Sequence, residues 1–165
     1  MDQKNKNLSV YQEGSIPNAE AMRFSIVVAE WNPEITDKLL EGAKGTLLKF
    51  GANPENIQIH GVPGSFELTA GAVMVIDAHK PDAVICLGCV IQGETRHFEF
   101  ICQAVSQGLT HLSISSGTPV IFGVLTTDTY AQALDRAGGK HGNKGDEAAI
   151  TAIKMASLKQ RLSTS

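Results

Sequence analysis

AVICLGCVIQGETRHFEF, residues 83–100, decides the fold. From Ala83 to Ile91 no residue is charged, and the run is short and bounded by Asp82 and the turn residue Gly93. That pattern marks a strand buried on both faces, the kind found in parallel sheets covered by helices on each side. Gly93 permits a tight turn, and from about His97 to Leu112 the apolar positions follow a helical period. A buried strand thus feeds a helix through a polar turn.

The same unit recurs to either side. Phe24 to Ala29 is a short apolar strand, and Pro33 opens a helix whose stripe is Ile35, Leu39, Leu40, Ala43, Leu47 and Leu48, closed by Lys49-Phe50-Gly51. Ile57 to Val62 leads through Pro63-Gly64-Ser65 into a helix from about Phe66 to His79. Val120 to Leu125 leads into a helix expected near Thr126, and Asn143 opens a last helix running toward Leu162. The fold class is therefore α/β: a three-layer α/β/α sandwich around a central four-stranded parallel sheet. No linker divides it, so residues 22–165 read as one domain. Residues 1–21 are polar and without period, an expected mobile arm or an edge strand lent to a neighbour.

Composition limits the function. At 165 residues and 42% hydrophobic, the chain can bury a real core as one domain, and a net charge of -3 offers no broad basic surface for nucleic acid. The N-terminus lacks the apolar core of a signal peptide, and no run approaches the roughly 18 residues of a membrane span. A cytoplasmic protein with no membrane partner is expected, and the sequon at Asn7-Leu8-Ser9 then has no consequence. Cys86-Leu87-Gly88-Cys89 spells C-x-x-C, but within a strand an odd separation sends the two thiols to opposite faces. No helix N-terminus or further ligands accompany them, so Cys86 and Cys89 read as buried structural thiols, and Cys102 likewise on its helix.

In parallel α/β sheets ligands bind beyond the carboxyl ends of the strands. The residues to watch are therefore Trp31-Asn32, Gly64-Ser65-Phe66-Glu67, Gly93 to His97, and Phe122 to Thr127. Trp31, the only tryptophan, serves equally as a rim-packing aromatic or as a plate for a heteroaromatic ligand. Gly64-Ser65 before Phe66-Glu67 has the form of a helix cap; exposed amides, a hydroxyl and a carboxylate there would also suit a polyhydroxylated chain. After Gly93 the N–H groups of Glu94, Thr95 and Arg96 would face outward at a helix N-terminus and form an anion site, with the Glu94 side chain turned away or capping the helix. His97 is the one histidine of five at a strand-to-helix turn, where an imidazole can move protons near neutral pH. His60, His79, His111 and His141 have structural explanations. In Asp135 to Glu147 the order of a Walker A loop is absent, and a flexible inter-helix loop accounts for the charges. Yet Arg136 is a bidentate partner for phosphate, and Lys144 and Glu147 fall at i, i+3 on one helix face.

FSIVVAEWN, GVPGSFELT, GCVIQGETRHFEF, PVIFGVLT and AGGKHGNKGDEAA, in this order and spacing, resemble the 6,7-dimethyl-8-ribityllumazine synthase family over roughly residues 22–160. The resemblance implies a flavodoxin-like sheet. It also implies a transferase of riboflavin biosynthesis that condenses 5-amino-6-(D-ribitylamino)uracil with 3,4-dihydroxy-2-butanone 4-phosphate, releasing phosphate and water. No metal and no organic cofactor is implied. Trp31 and Asn32 would meet the pyrimidine, and Gly64, Ser65, Phe66 and Glu67 the uracil and ribityl groups. Cys89, Val90, Ile91 and Phe122 would line the site. Gly93, Glu94, Thr95 and above all Arg136 would hold the phosphate, His97 would be the acid/base group, and Lys144 and Glu147 would complete the surroundings.

The chain departs from the family pattern at Trp31, where phenylalanine is common and stacking area is kept. It departs again at Arg96, where proline is common; Arg96 reads as an extra anion contact or a solvent-facing residue, the second being preferred. The resemblance further implies a homopentamer whose site lies between subunits, with Phe122 and the Arg136–Lys144 segment coming from the adjacent chain. The short link Gly139-Lys140-His141-Gly142-Asn143 matches members that build an icosahedral 60-mer, for which riboflavin synthase would be an enclosed partner. A lumazine or flavin carrier is the rival from another class, and a phosphate ligand such as Arg136 would be of no use to it.

Overall fold

The computed structural model describes residues 7–165. Strand β1 (Phe24–Ala29) leads into helix α1 (Pro33–Lys49), β2 (Ile57–Val62) into α2 (Leu68–His79), and β3 (Ala83–Ile91) into α3 (His97–Ser116). Strand β4 (Val120–Thr127) leads into the short α4 (Tyr130–Asp135). A small antiparallel pair, β5 (Ala137–Gly139) and β6 (Gly142–Asn143), then precedes α5 (Lys144–Ser163). The four long strands are parallel, in the order β2-β1-β3-β4. The expected α/β/α sandwich is the observed one.

Strand alternation divides the core in two. Phe24, Ile26, Ile85, Leu87 and Leu125 face α1 and α5, where Ile35, Leu39 and Ile153 are fully buried. Val27, Val84, Cys86 and Val124 face α2 and α3, against Leu68, Val75, Val105 and Leu109. Each such side chain contributes roughly 1.5–3 kcal/mol of burial. The C-x-x-C pair splits as its spacing requires, Cys86 into one cluster and Cys89 into the other. Only Ile57 of β2 is buried; as an edge strand carrying Gln58 and His60 it does not share the double burial of β3.

Helices α1 and α5 meet without room for side chains at their crossing. A β-carbon on Gly145 would stand 2.0 Å from the Leu39 carbonyl oxygen. Asn143 fixes the meeting point. Its Oδ1 accepts from the Gly145 N–H at 2.7 Å and caps α5, while its Nδ2 donates to the Lys38 carbonyl of α1 at 3.0 Å.

Three boundaries differ from the sequence reading. Helix α3 continues past Leu112 to Ser116 and stops at Gly117, whose φ of 69° is left-handed. The helix expected near Thr126 starts at Tyr130, because the β-branched Thr126 and Thr127 extend β4 and Thr129 supplies the N-cap. There the Thr129 side chain accepts from the Gln132 N–H at 3.2 Å, and Gln132 Oε1 accepts from the Thr129 N–H at 3.2 Å. Thr129→Ala is expected to destabilise the fold by about 1 kcal/mol, measured by urea denaturation. The third difference is the β5–β6 pair, which occupies part of the segment read as a flexible loop.

Of the expected arm, residues 1–6 lie outside the described residues. From Asn7 onward it lies along its own chain. The Leu8 N–H donates to the His141 carbonyl at 3.0 Å, Ser9 exchanges hydrogen bonds with the Asn143 backbone, and the Ala19 N–H donates to Phe50 at 2.8 Å. Lys49 pairs with Glu13. Among the described residues, no helix is long and apolar enough to cross a membrane.

Candidate active site

Parallel strands bring their carboxyl ends to one edge, and a cleft with a volume of about 620 Å³ opens there. Its wall is built from three βα turns. The β1–α1 turn gives Trp31 and Asn32, the β2–α2 turn gives Gly64 to Glu67, and the end of β3 with the start of α3 gives Cys89, Val90, Ile91, His97 and Ile101. Of the residues expected in those turns, Trp31, Asn32, Gly64 to Glu67, Cys89 to Ile91 and His97 line the cleft, and Gly93 to Thr95, in the turn before α3, do not.

Each side chain has a local cause. Asn32 adopts left-handed backbone (φ 61°) before Pro33 opens α1, and its Nδ2 donates to the Cys89 carbonyl at 3.2 Å. That bond ties the first turn to the third. Backbone pairing of Trp31 N–H to Pro63 O at 3.1 Å places the indole over the cleft, where the side chain is 73% exposed. In the second turn the Gly64 N–H donates to Glu67 Oε2 at 3.0 Å and the Glu67 N–H to the Gly64 carbonyl, so the helix-cap form read from the sequence is real. The other Glu67 oxygen makes no hydrogen bond among the described residues, and Glu67 lines the cleft. Ser65 Oγ is buried with no hydrogen-bond partner and lies 2.5 Å from where a β-carbon on Gly88 would be. Only glycine at 88 lets this turn settle so close to β3.

The turn after β3 leaves backbone donors open. The Gln92 N–H is used by the Thr127 carbonyl, but the amides of Glu94, Thr95 and Arg96 make no hydrogen bond within the described chain. Glu94 does not cap the helix; Thr95 Oγ1 accepts the His97 N–H at 3.3 Å instead. Arg96 is exposed, as expected. The His97 imidazole makes no hydrogen bond among the described residues and is exposed on the cleft wall. Ile101 was not anticipated. It lies four residues beyond His97, one turn along the same face of α3, and that spacing was the available signal.

Phe122, Arg136, Lys144 and Glu147 do not reach this cleft. Phe122 is partly exposed on β4, the sheet edge opposite β2. Arg136 ends α4 and borders a separate cleft of about 490 Å³ with Thr126, Thr127 and Asp128. Its guanidinium pairs with the Glu147 carboxylate and donates to the His141 carbonyl at 2.6 Å. The Lys144 N–H donates to the Arg136 carbonyl at 2.8 Å, so β5, β6 and the start of α5 hold Arg136 in place. The lining of the larger cleft contains no lysine or arginine.

No thiol is poised for chemistry. Burial pushes Cys86 up to about 12 and Cys89, on the cleft's inner wall, up to about 11. Burial also raises Cys102, the least enclosed of the three. Because a raised value keeps the thiol protonated, alkylation at pH 8 is expected to modify Cys102 first and leave Cys86 and Cys89 untouched until denaturant is added, as mass spectrometry would record. Among the described residues no group of three or more His, Cys, Asp or Glu is placed to hold a metal.

Residues 21–160 match the family model described as 6,7-dimethyl-8-ribityllumazine synthase. The chain belongs to this family. It is 62% identical to the 6,7-dimethyl-8-ribityllumazine synthase of Cytophaga hutchinsonii, over 94% of this chain and 97% of that one. The lumazine synthase of Parabacteroides distasonis is 58% identical, over 91% of this chain and 94% of its own. That of Phocaeicola vulgatus is 56% identical, over 94% and 93%. The lumazine synthase family is a family of transferases, and the three-turn cleft falls entirely within the matched residues.

Proposed function

We propose that the chain condenses 5-amino-6-(D-ribitylamino)uracil with 3,4-dihydroxy-2-butanone 4-phosphate to 6,7-dimethyl-8-ribityllumazine in riboflavin biosynthesis, releasing phosphate and water. The observation that carries this reading is one cleft lined by an exposed indole, a carboxylate and an unengaged imidazole, with the open amides of Glu94 to Arg96 in the turn that precedes His97. The indole of Trp31 stacks the pyrimidine. The Glu67 oxygen and the turn at Gly64 to Phe66 take polar groups of the uracil and ribityl chain.

The substrate's own amine attacks the ketone, so no protein nucleophile is needed, in keeping with the protonated Cys89 thiol on the cleft wall. Two things are asked of the protein. Holding both substrates in register removes several kcal/mol of barrier, and His97 carries protons from the attacking amine and toward departing water. Phosphate leaves more readily when its charge is shared with amide N–H groups at the start of α3 and with a guanidinium.

That guanidinium is Arg136, and because it stands at the opposite sheet edge the complete site forms between two subunits. Each chain contributes the three-turn cleft to one site and Phe122, Arg136 and Lys144 to the next. A ring of five chains in the cytoplasm, and a closed shell of such rings, is the assembly proposed. Arg136→Ala should raise KM for the phosphate substrate about tenfold or more, the worth of a charged hydrogen bond, with a smaller change in kcat. A fall in kcat with KM unmoved would count against the assignment.

Mixing the two substrates with the protein and following lumazine fluorescence together with free phosphate tests the activity. Matched formation of both above the uncatalysed rate is the expected result, and tight lumazine binding without turnover would make the chain a carrier. Refolding His97→Ala together with Arg136→Ala tests the shared site. With the phosphate substrate held below its KM, hybrids should be more active than either parent variant, because some interfaces then pair an intact cleft with an intact Arg136. Hybrids no more active than their parents would place both residues in one chain's site.

A further inference from the structure

The reaction leaves His60 and His79 unused, and neither lines the cleft. They belong to different elements. His60 is exposed on edge strand β2, and His79 is the last residue of α2, whose other end begins at the cleft roughly 18 Å away along the helix. The register Ser25↔Gln58 and Val27↔His60 puts His60 on the sheet face that α2 covers. The two Nε2 atoms are 3.0 Å apart. The ring centroids are 5.1 Å apart with planes inclined by 18°, so the imidazoles approach by their Nε2 edges and not face to face.

We infer that His60 and His79 form a binding site for a first-row divalent transition metal such as Ni²⁺ or Cu²⁺. In the metal-free pair one Nε2 donates a proton to the other. Each neutral imidazole can instead keep its proton on Nδ1 and present a lone pair at Nε2. At bond lengths of about 2.0–2.1 Å, nitrogens 3.0 Å apart subtend roughly 90° at a metal. That is the cis angle of tetragonal and octahedral centres, where imidazole-bound Ni²⁺ and Cu²⁺ are found. For the ion to bind, both rings turn until their lone pairs meet at one point, and the exposure of His60 at a sheet edge leaves room for it.

The remaining positions of the ion fall to water, since among the described residues no third His, Cys, Asp or Glu completes the set. His79 also borders a polar cavity of about 110 Å³ with Glu55, Gln58 and Ser25, whose buried Oγ has no hydrogen-bond partner. The ion joins the edge strand to the end of α2.

Isothermal titration of the full-length protein with NiCl₂ at pH 7.5, in a non-coordinating buffer, tests the site. Expected is saturation at one ion per chain. His60→Gln and His79→Gln should each weaken binding at least about tenfold, the lower end of what even an outer-shell partner is worth. His111→Gln should bind as the parent does. No saturable binding, binding that survives His60→Gln, or an equal loss in His111→Gln overturns the proposal. Because His60 is exposed on the surface, its substitution leaves the fold intact and decides the matter even if His79→Gln fails to fold.

Discussion

Replacing His97 with alanine should lower kcat by about 10²- to 10⁴-fold, the usual contribution of a positioned acid/base group, while KM for either substrate changes little. The expectation rests on where the ring is and on what it does not touch. It projects from the first turn of α3 into the 620 Å³ cleft and makes no hydrogen bond among the described residues, so its removal leaves no orphaned partner. The side chain is exposed, and a surface substitution of this kind alters stability by no more than about 0.5 kcal/mol. Activity and stability therefore separate. Steady-state kinetics beside a urea melt would show a large loss in the first and almost none in the second. If both fell together, or if KM rose with kcat preserved, His97 would be a structural or binding residue instead.

The second large effect is on stability. Gly145→Ala should destabilise the protein by at least about 1–3 kcal/mol, the typical cost of overpacking. The added carbon would stand 2.0 Å from the Leu39 carbonyl oxygen, well inside any allowed contact. A flexible side chain could swing away, but here the obstacle is the backbone of α1, so helices must part. Parting them strains the bonds by which Asn143 joins Gly145 to Lys38. The damage travels further, because Lys144 holds the Arg136 carbonyl. Chemical denaturation should show a lower midpoint, and kinetics a weaker grip on the phosphate substrate. An unchanged midpoint would mean the helices can separate at no cost.

The sheet could be read from the sequence because its inner strands carry no charges: Ala83 to Ile91 admits hardly any other environment. Where burial was partial, the signal weakened. Strand β2 was placed correctly, yet its exposure as an edge is a property of strand order, which no local pattern encodes. The start of α4 is ambiguous in the sequence because Thr126 and Thr127 fit either a strand end or a helix start, and the Thr129–Gln132 reciprocal cap decides it. Residues 137–143 hold too many glycines for any period, so β5 and β6 were invisible. The cleft at the strand ends followed from topology alone. That Arg136 stands at the other edge of the sheet, engaged with Glu147, required the fold.

Trp31 gives the protein an optical property as well as a chemical one. It is the only tryptophan of the chain, and its indole is 73% exposed at the mouth of the cleft. Excited near the red edge of protein absorption, the molecule emits from this one ring, so its spectrum is a local signal and not an average over the fold. A flat heterocycle lying on the indole would quench that light, and each chain would report the filling of its own cleft without any attached dye.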